Sequence, residues 1–337
     1  MARRSPWMLL VLALMAAVLA GCGGPAGGGA NAASSGDTKL DLVAYSTPQE
    51  AYQALIASFQ KTAAGTGVGF TQSYGPSGDQ SRAVSAGLPA DVVALSLAPD
   101  VDKLVDPGIV RAGWDRTPTH GFVTDSVVVL TVRKGNPKHI EGWADLVRPG
   151  VEVLTPNPFT SGGAKWNLMA AYGAQLQQGR SPQQALGYLK ALLQHVPVQD
   201  KSGRESLQSF TNGKGDVAIT YENEAITARS KGVPVDYVIP DQTILIQNPI
   251  AATADAKPQA QAFIRFLESA PAQRIYAAKG YRPVDSSVLD HKRFPTPKQL
   301  FKIDDLGGWS KVDADFFDPT VGSIARIEQD LGVSTAK

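Results

Sequence analysis

The sequence predicts an α/β fold of two lobes, each built on a mixed, mostly parallel sheet flanked by helices. Three observations lead to this fold class. Short apolar segments with strand character alternate with helical segments along most of the chain. The part of the chain after residue 38 is close to the upper size of a single hydrophobic core, roughly 250–300 residues. Two strand-like segments, 123–132 and 244–252, separate the element groups and are predicted to cross between the lobes.

The first lobe is predicted from its regular alternation of elements. Strands are expected at 40–45, 68–73 and 91–95, with helices at 47–61 and 79–86. The long β-branched segment from Val123 is then expected to leave this lobe.

The second lobe repeats the same alternation. Strands are expected at 151–154, 196–199, 216–221 and 235–239, and helices at 164–177 and 182–195. From about Ala256 the chain is expected to be helical and to pack back on the first lobe. The predicted boundaries are residues 39–121 with 248–337 for the first lobe, and 122–247 for the second.

The N-terminus has the pattern of a bacterial lipoprotein signal. Arg3 and Arg4 precede an apolar run at 7–19, which is shorter than the ~20 residues that span a bilayer. The following Leu-Ala-Gly-Cys predicts a signal peptide at 1–21 and a lipid on Cys22, the first residue of the mature chain. Residues 22–38, rich in Gly, Ala and Ser, are expected to form a flexible tether. This predicts a protein that is periplasmic, or anchored by its lipid to the outer face of the cytoplasmic membrane.

Charge and cysteine content exclude several function classes. The formal net charge is +1, and it becomes −1 once Arg3 and Arg4 leave with the signal peptide. Nucleic-acid binding, which needs a strongly basic face, is therefore not predicted. Cys22 is the only cysteine, so an intrachain disulfide is impossible. The four histidines are isolated and lack metal-ligand spacing, so no metal or other cofactor is expected.

Three Gly- and Ser-containing turns carry the predicted chemistry. They are 75–78 (Gly-Pro-Ser-Gly), 161–163 (Ser-Gly-Gly) and 202–204 (Ser-Gly-Arg), and each follows a predicted strand and opens a predicted helix. The first N–H groups of a helix lack intrahelical partners and carry partial positive charge. Glycine lets an anion approach this backbone closely, and serine adds a hydroxyl. Together, the three turns predict a cleft that holds an oxyanion without a lysine or arginine in contact with it.

Longer motifs resemble one known family. Segments 155–158 (Thr-Pro-Asn-Pro) and 161–167 (Ser-Gly-Gly-Ala-Lys-Trp-Asn) look like signatures of the bacterial sulfate- and thiosulfate-binding proteins of ABC importers. Segments 133–138, 221–225 and 281–283 resemble the same family, as does Gly-Gly-Trp at 307–309. The resemblance runs from about Leu40 to about Phe317. It implies a type II periplasmic-binding-protein fold, acting as a monomeric receptor that delivers its ligand to a membrane permease and ATPase.

The resemblance also implies the ligand-binding residues, matched position by position. Ser161 offers its hydroxyl. Tyr221 stands where many relatives have Trp, and it can donate through its O–H. Backbone N–H groups are implied for five further residues: Ser46, Ser77, Gly162, Gly163 and Gly203. For Ser77 the hydroxyl is a second option.

A site made only of donors favours sulfate over hydrogen phosphate. Phosphate must also donate a proton, and burying that proton unsatisfied costs about 1–3 kcal/mol. No carboxylate stands at the matched positions. Asp200 and Glu222 lie nearby in sequence and are expected to make strand-end and capping hydrogen bonds. Glu222 and Glu224 are expected to face solvent or to cap backbone.

Several alternatives stay open at this level. Sulfate and thiosulfate are not distinguished, and molybdate or tungstate is a more distant possibility. A secreted enzyme or adhesin that reuses the fold is a further alternative, although the Ser-Gly-Gly turn lacks the Gly-x-Ser-x-Gly pattern of a hydrolase nucleophile. The sequence has no Gly-x-x-x-x-Gly-Lys-[Ser/Thr] motif, so an ATPase would be a separate chain.

Overall fold

A computed structural model of the chain describes residues 38–335. The predicted signal peptide and Cys22 lie outside these residues, as does the predicted tether apart from Thr38. The strands are β1 (Thr38–Tyr45), β2 (Val68–Gly75), β3 (Val92–Ala94), β4 (Phe122–Arg133), β5 (Val153–Leu154), β6 (Val217–Tyr221), β7 (Val235–Val238), β8 (Gln242–Ala252) and β9 (Gln299–Phe301).

The helices connect these strands and flank the sheet. They are α1 (Gln49–Phe59), α2 (Ser77–Ser85), α3 (Ala98–Asp102), α4 (Gly162–Gln177), α5 (Pro182–Gln194), α6 (Gly203–Thr211), α7 (Glu222–Ser230), α8 (Pro258–Leu267), α9 (Ala270–Ala278), α10 (Gly308–Val312) and α11 (Ser323–Asp330). Short 3₁₀ turns occur at Trp143–Val147 and Ile303–Leu306, and a π-helical turn at Asp313–Phe317.

The sheet is mixed, as predicted, and β4 and β8 run through its middle. The strand order is β2-β1-β3-β8-β4-β6-β5, with β7 also paired to β4 and β9 to β8. Within residues 38–335, four strand pairs are parallel and four are antiparallel. Every antiparallel pair includes β4 or β8. These two strands lie in the middle of the sheet and connect its two halves. Val127 of β4 pairs with Leu245 of β8, so the two predicted crossover segments lie side by side.

Buried apolar side chains form separate cores on the two halves of the sheet. One core joins β1, β2 and β3 to α1, α8 and α9, with Leu40, Phe59 and Phe263 fully buried. The largest core joins β4 and β6 to α4 and α5, with Trp166 and Leu189 at its centre. The two cores lie on different halves of the sheet, which β4 and β8 connect. The predicted lobe boundaries themselves stay a prediction.

Two details of the predicted fold are wrong. Residues 196–199 do not form a strand, because Pro197 removes a backbone N–H that a ladder needs. The segment after Ala256 is predicted to pack only on the first lobe, but it contributes to two different cores. Helices α8 and α9 do pack with β1, but the buried side chains from Phe301 to Ile327 belong to the core around α4 and α5.

No helix among residues 38–335 is long and apolar enough to cross a membrane. The same residues contain no group of three or more His, Cys, Asp or Glu side chains arranged to hold a metal ion.

Candidate functional site

The structure brings all seven predicted ligand-binding residues to one cavity. The cavity comprises about 380 Å³ of space between protein atoms, part of which is open to solvent. The seven residues in its wall are Ser46, Ser77, Ser161, Gly162, Gly163, Gly203 and Tyr221. They come from the C-terminal ends of β1 and β6 and from the first turns of α2, α4 and α6, which is where ligands bind in open α/β sheets.

The first turn of α4 exposes backbone N–H groups at the cavity wall. Ser161 is the N-cap, and its Oγ accepts from the N–H of Ala164 at 3.4 Å. A Cβ at Gly162 would lie 2.8 Å from Leu97 Cγ and 2.9 Å from Ser96 Oγ, so only glycine fits there. A Cβ at Gly163 would meet Ser161 Oγ at 3.4 Å and would lie near the ring of Tyr221. Two glycines after a serine cap therefore leave the first N–H groups of the helix accessible at the cavity wall.

At the first turn of α2, only the backbone N–H groups are available to a ligand. The Ser77 hydroxyl donates to Asp100 Oδ2 at 2.7 Å and accepts from the Ser96 N–H at 3.0 Å. Both bonds are buried, so the hydroxyl is not available to a ligand. Of the two options given for Ser77, the backbone N–H is the one that the geometry leaves.

The first turn of α6 is capped in the same way as α4. Ser202 Oγ accepts from the Glu205 N–H at 3.2 Å. Gly203, next in the chain, has more room than Gly162, because a Cβ there would meet nothing nearer than Thr47 Cγ2 at 3.7 Å.

The Tyr221 side chain is buried at the cavity wall, but its hydroxyl already has a partner. Its Oη lies 2.7 Å from Ser96 Oγ, across a bond in which either atom can donate. Burial raises the pKa of Tyr221 well above its usual value, so the hydroxyl keeps its proton. Donation from Tyr221 to a ligand requires Ser96 Oγ to be the donor in this bond.

The wall contains eight further residues that sequence reasoning did not identify as ligand contacts, among them the polar residues Tyr45, Thr47, Asn167 and Glu224. Tyr45 and Thr47 flank Ser46 directly. Asn167 lies one helical turn after Gly163, a spacing that places both on one face of α4. The signals for these three were therefore present in the sequence. Asn167 donates to Thr155 Oγ1 and to the Ile219 carbonyl, and its buried Oδ1 has no hydrogen-bond partner.

The expectation that Glu222 and Glu224 face solvent or cap backbone is wrong. Glu222 is fully buried and accepts from Arg282 at 2.6 and 3.0 Å, away from the cavity. Glu224 is buried and lines the cavity, with Oε1 3.2 Å from Arg204 Nε. A carboxylate therefore belongs to the wall, and the expected donor-only set is incomplete. Asp200 accepts locally from Ser209 Oγ at 3.0 Å and is not part of the wall.

Two carboxylates beside the cavity, Glu50 and Glu224, are paired with Arg204 and Lys231. The Arg204 guanidinium forms ion pairs with Glu224 and Glu50, and it donates to the Thr47 carbonyl at 2.8 Å. Lys231 forms a second ion pair with Glu50. Burial raises the pKa of Glu224, and the charge of Arg204 opposes that rise. The wall thus combines neutral donors with a carboxylate whose charge is balanced by a neighbouring guanidinium.

Comparisons with known proteins agree with this fold. The family model described as bacterial extracellular solute-binding protein matches residues 40–282. A sulfate-binding protein of Synechococcus elongatus is 42% identical over 307 residues, which cover 86% of this chain and 88% of that protein. A thiosulfate-binding protein of Pseudomonas aeruginosa is 33% identical, covering 90% of this chain and 95% of its own length.

A solved structure carries the same architecture. The sulfate-binding protein of Mycobacterium tuberculosis H37Rv matches with a TM-score of 0.81 and 45% identity, over 83% of this chain and all of that chain. The predicted periplasmic-binding-protein fold is thereby confirmed. The chain belongs to the family of bacterial extracellular solute-binding proteins.

Proposed function

We propose that this chain binds sulfate or thiosulfate in the cavity and delivers it to an ABC importer, without chemical turnover. One observation carries the proposal: the first turns of α2, α4 and α6 all open on a single small cavity. Three helix N-termini supply many backbone N–H donors and partial positive charge, which suits a small dianion. The names of the sulfate- and thiosulfate-binding relatives support the same ligand class.

The absence of a lysine or arginine among the wall residues has a physical consequence. A bound dianion would be stabilised by fixed dipoles instead of by a formal countercharge. Backbone donors held in helices are already oriented, so little reorganisation is needed on binding. The negative charge of Glu224 repels a bound anion, and the ion pair with Arg204 reduces this repulsion.

The location follows in part from the family, which is described as extracellular. We propose in addition that Cys22 is lipidated and that residues 22–38 tether the protein to the membrane. The Leu-Ala-Gly-Cys sequence supports this. Mass spectrometry of the mature N-terminus tests it, since a Cys22→Ser variant should lose the lipid and leave the membrane fraction.

Thermal unfolding with added anions tests the binding proposal. Sulfate, thiosulfate, molybdate and phosphate are added one at a time to the purified protein. A ligand present at 100 times its Kd stabilises the folded state by about 2.7 kcal/mol, which raises the unfolding temperature measurably. A rise with sulfate or thiosulfate supports the proposal, and no response to either would contradict it.

A further inference from the structure

Tyr45 places a buried hydroxyl without a partner at the cavity wall. The residue ends β1, is 5% exposed and lines the cavity beside Ser46. Among residues 38–335, no atom meets hydrogen-bond geometry with its Oη. The hydroxyls of Thr47 and Tyr281 lie near enough to lower the pKa of Tyr45 against the larger effect of burial, and they are 3.5 Å from each other.

A buried hydroxyl in this condition is costly to the folded state. An unmade hydrogen bond away from water leaves the desolvation of the group uncompensated. Burial also raises the pKa of Tyr45 above its usual value, so the hydroxyl is a protonated donor at neutral pH. A protonated hydroxyl in the wall of a binding cavity can donate a hydrogen bond to a bound ligand.

The position of Tyr45 is well fixed. Its backbone pairs with Gly75 in the parallel β1–β2 ladder. Its ring centroid lies 6.4 Å from that of Tyr221, in a tilted arrangement typical of packed aromatic pairs. Of these two tyrosines, Tyr221 hydrogen-bonds to Ser96, whereas the Tyr45 Oη has no partner within hydrogen-bond geometry among the described residues.

We propose that the Tyr45 hydroxyl donates a hydrogen bond to the bound oxyanion. The proposal rests on the proposed function and deepens it by adding one side-chain donor to the backbone donors of the cavity. It assigns to Tyr45 the contribution that sequence comparison suggests for Tyr221.

The test uses Tyr45→Phe, with Tyr276→Phe as the matched control. Tyr276 is also buried, and its Oη likewise lacks a partner, but it does not line the cavity. Each variant removes one oxygen atom. The thermal unfolding temperature without ligand and the sulfate Kd from isothermal titration calorimetry are measured for both variants and for the unmodified protein.

We expect the two readouts of Tyr45→Phe to move in opposite directions. Without ligand it should be at least as stable as the unmodified protein, because a costly unpaired donor is gone. Its sulfate Kd should rise roughly ten- to hundredfold, the range for a lost hydrogen bond to a charged group. Tyr276→Phe should also keep its stability and should bind sulfate with unchanged Kd.

Three results would overturn the assignment. An unchanged Kd in Tyr45→Phe, while the unmodified protein binds sulfate, would show that the hydroxyl does not contact the ligand and would leave the proposed function standing. A lower unfolding temperature in Tyr45→Phe than in Tyr276→Phe would show that Tyr45 has an internal partner instead. Failure of the unmodified protein to bind any of the anions would remove the proposed function together with this role.

Discussion

Arg204 holds the Glu50 carboxylate with both of its terminal nitrogens: Nη1 lies 3.0 Å from Oε1 and Nη2 lies 3.3 Å from Oε2. The two residues lie in the first turns of α6 and α1 and are 154 positions apart in the sequence. Helix α1 packs on the core around β1, whereas α6 packs with β6. The pair therefore links the two halves of the sheet beside the cavity.

Loss of this link is expected to speed ligand release. Both side chains are about a third exposed or less, so screening limits the contribution to ~1 kcal/mol. Glu50→Gln should raise the sulfate dissociation rate by about fivefold, measured by stopped-flow fluorescence. The control is Asp241→Asn, which removes a similar but exposed pair with Lys298 outside the cavity wall. Equal dissociation rates in Glu50→Gln and Asp241→Asn would contradict the linking role.

The same pair predicts a pH dependence of stability. Burial raises the pKa of Glu50, but hydrogen bonds and charges from Arg204 and Lys231 outweigh it and lower the pKa below its usual value of 4.5. A carboxyl whose folded-state pKa is lowered contributes stability that is present above its unfolded-state pKa. That contribution is lost as the pH falls through the folded-state pKa. Urea unfolding should show the advantage of the unmodified protein over Glu50→Gln at pH 7 and a shrinking advantage below pH ~4.5. A difference that stays constant down to pH 3 would rule out this linkage.

Two serine caps separate helix stability from ligand binding. Ser161→Ala and Ser202→Ala each remove an N-cap, of α4 and α6, and each should cost about 1 kcal/mol of unfolding free energy. Only Ser161 belongs to the cavity wall. Its variant should also raise the sulfate Kd at least tenfold, since a hydrogen bond to a charged ligand is lost. If calorimetry gives the same Kd for both variants, the Ser161 hydroxyl does not donate to the ligand.

Two glycines test how closely the backbone must approach the ligand. Gly162→Ala places a methyl group within 3 Å of Leu97 and Ser96, which forces a shift that costs about 1–3 kcal/mol. The first turn of α4 must move, so sulfate binding should weaken at least tenfold. Gly203→Ala meets no atom nearer than 3.7 Å and should keep its Kd within about twofold. If sulfate binding weakened equally in both variants, the space around each glycine would not explain its effect on the Kd.

Local patterns in the sequence predicted much of the fold and of the candidate site. The turns at Ser77 and Ser161 combine a strand end, a glycine and a helix start within several residues, the turn at Ser202 combines a glycine and a helix start, and such signals do not depend on distant contacts. The structure places all three helix starts where they were predicted. Helices α2 and α4 follow β2 and β5, whereas the strand predicted before α6 is absent, so the meeting of the three helix starts at one cavity depends on tertiary packing.

Contacts between distant residues were not predictable from one sequence. Glu224 looks like an exposed acidic residue until Arg204, 20 positions away, is placed beside it. Helical periodicity shows that a face is apolar but not which core it covers. For this reason the side chains from Phe301 to Ile327 were assigned to the wrong half of the sheet. The free hydroxyl of Tyr45 is likewise visible only once its surroundings are known.

The central claim is that three helix N-termini hold a fully deprotonated oxyanion, and selectivity between sulfate and phosphate tests it most directly. Calorimetry at neutral pH gives both Kd values for the unmodified protein and for Glu224→Gln. The account predicts at least tenfold tighter binding of sulfate, because hydrogen phosphate must bury a proton, while Glu224 is held in an ion pair with Arg204. The ratio should be similar in Glu224→Gln. Equal affinities in the unmodified protein, with sulfate preference appearing only in Glu224→Gln, would contradict the account and identify Glu224 as a proton acceptor for the ligand.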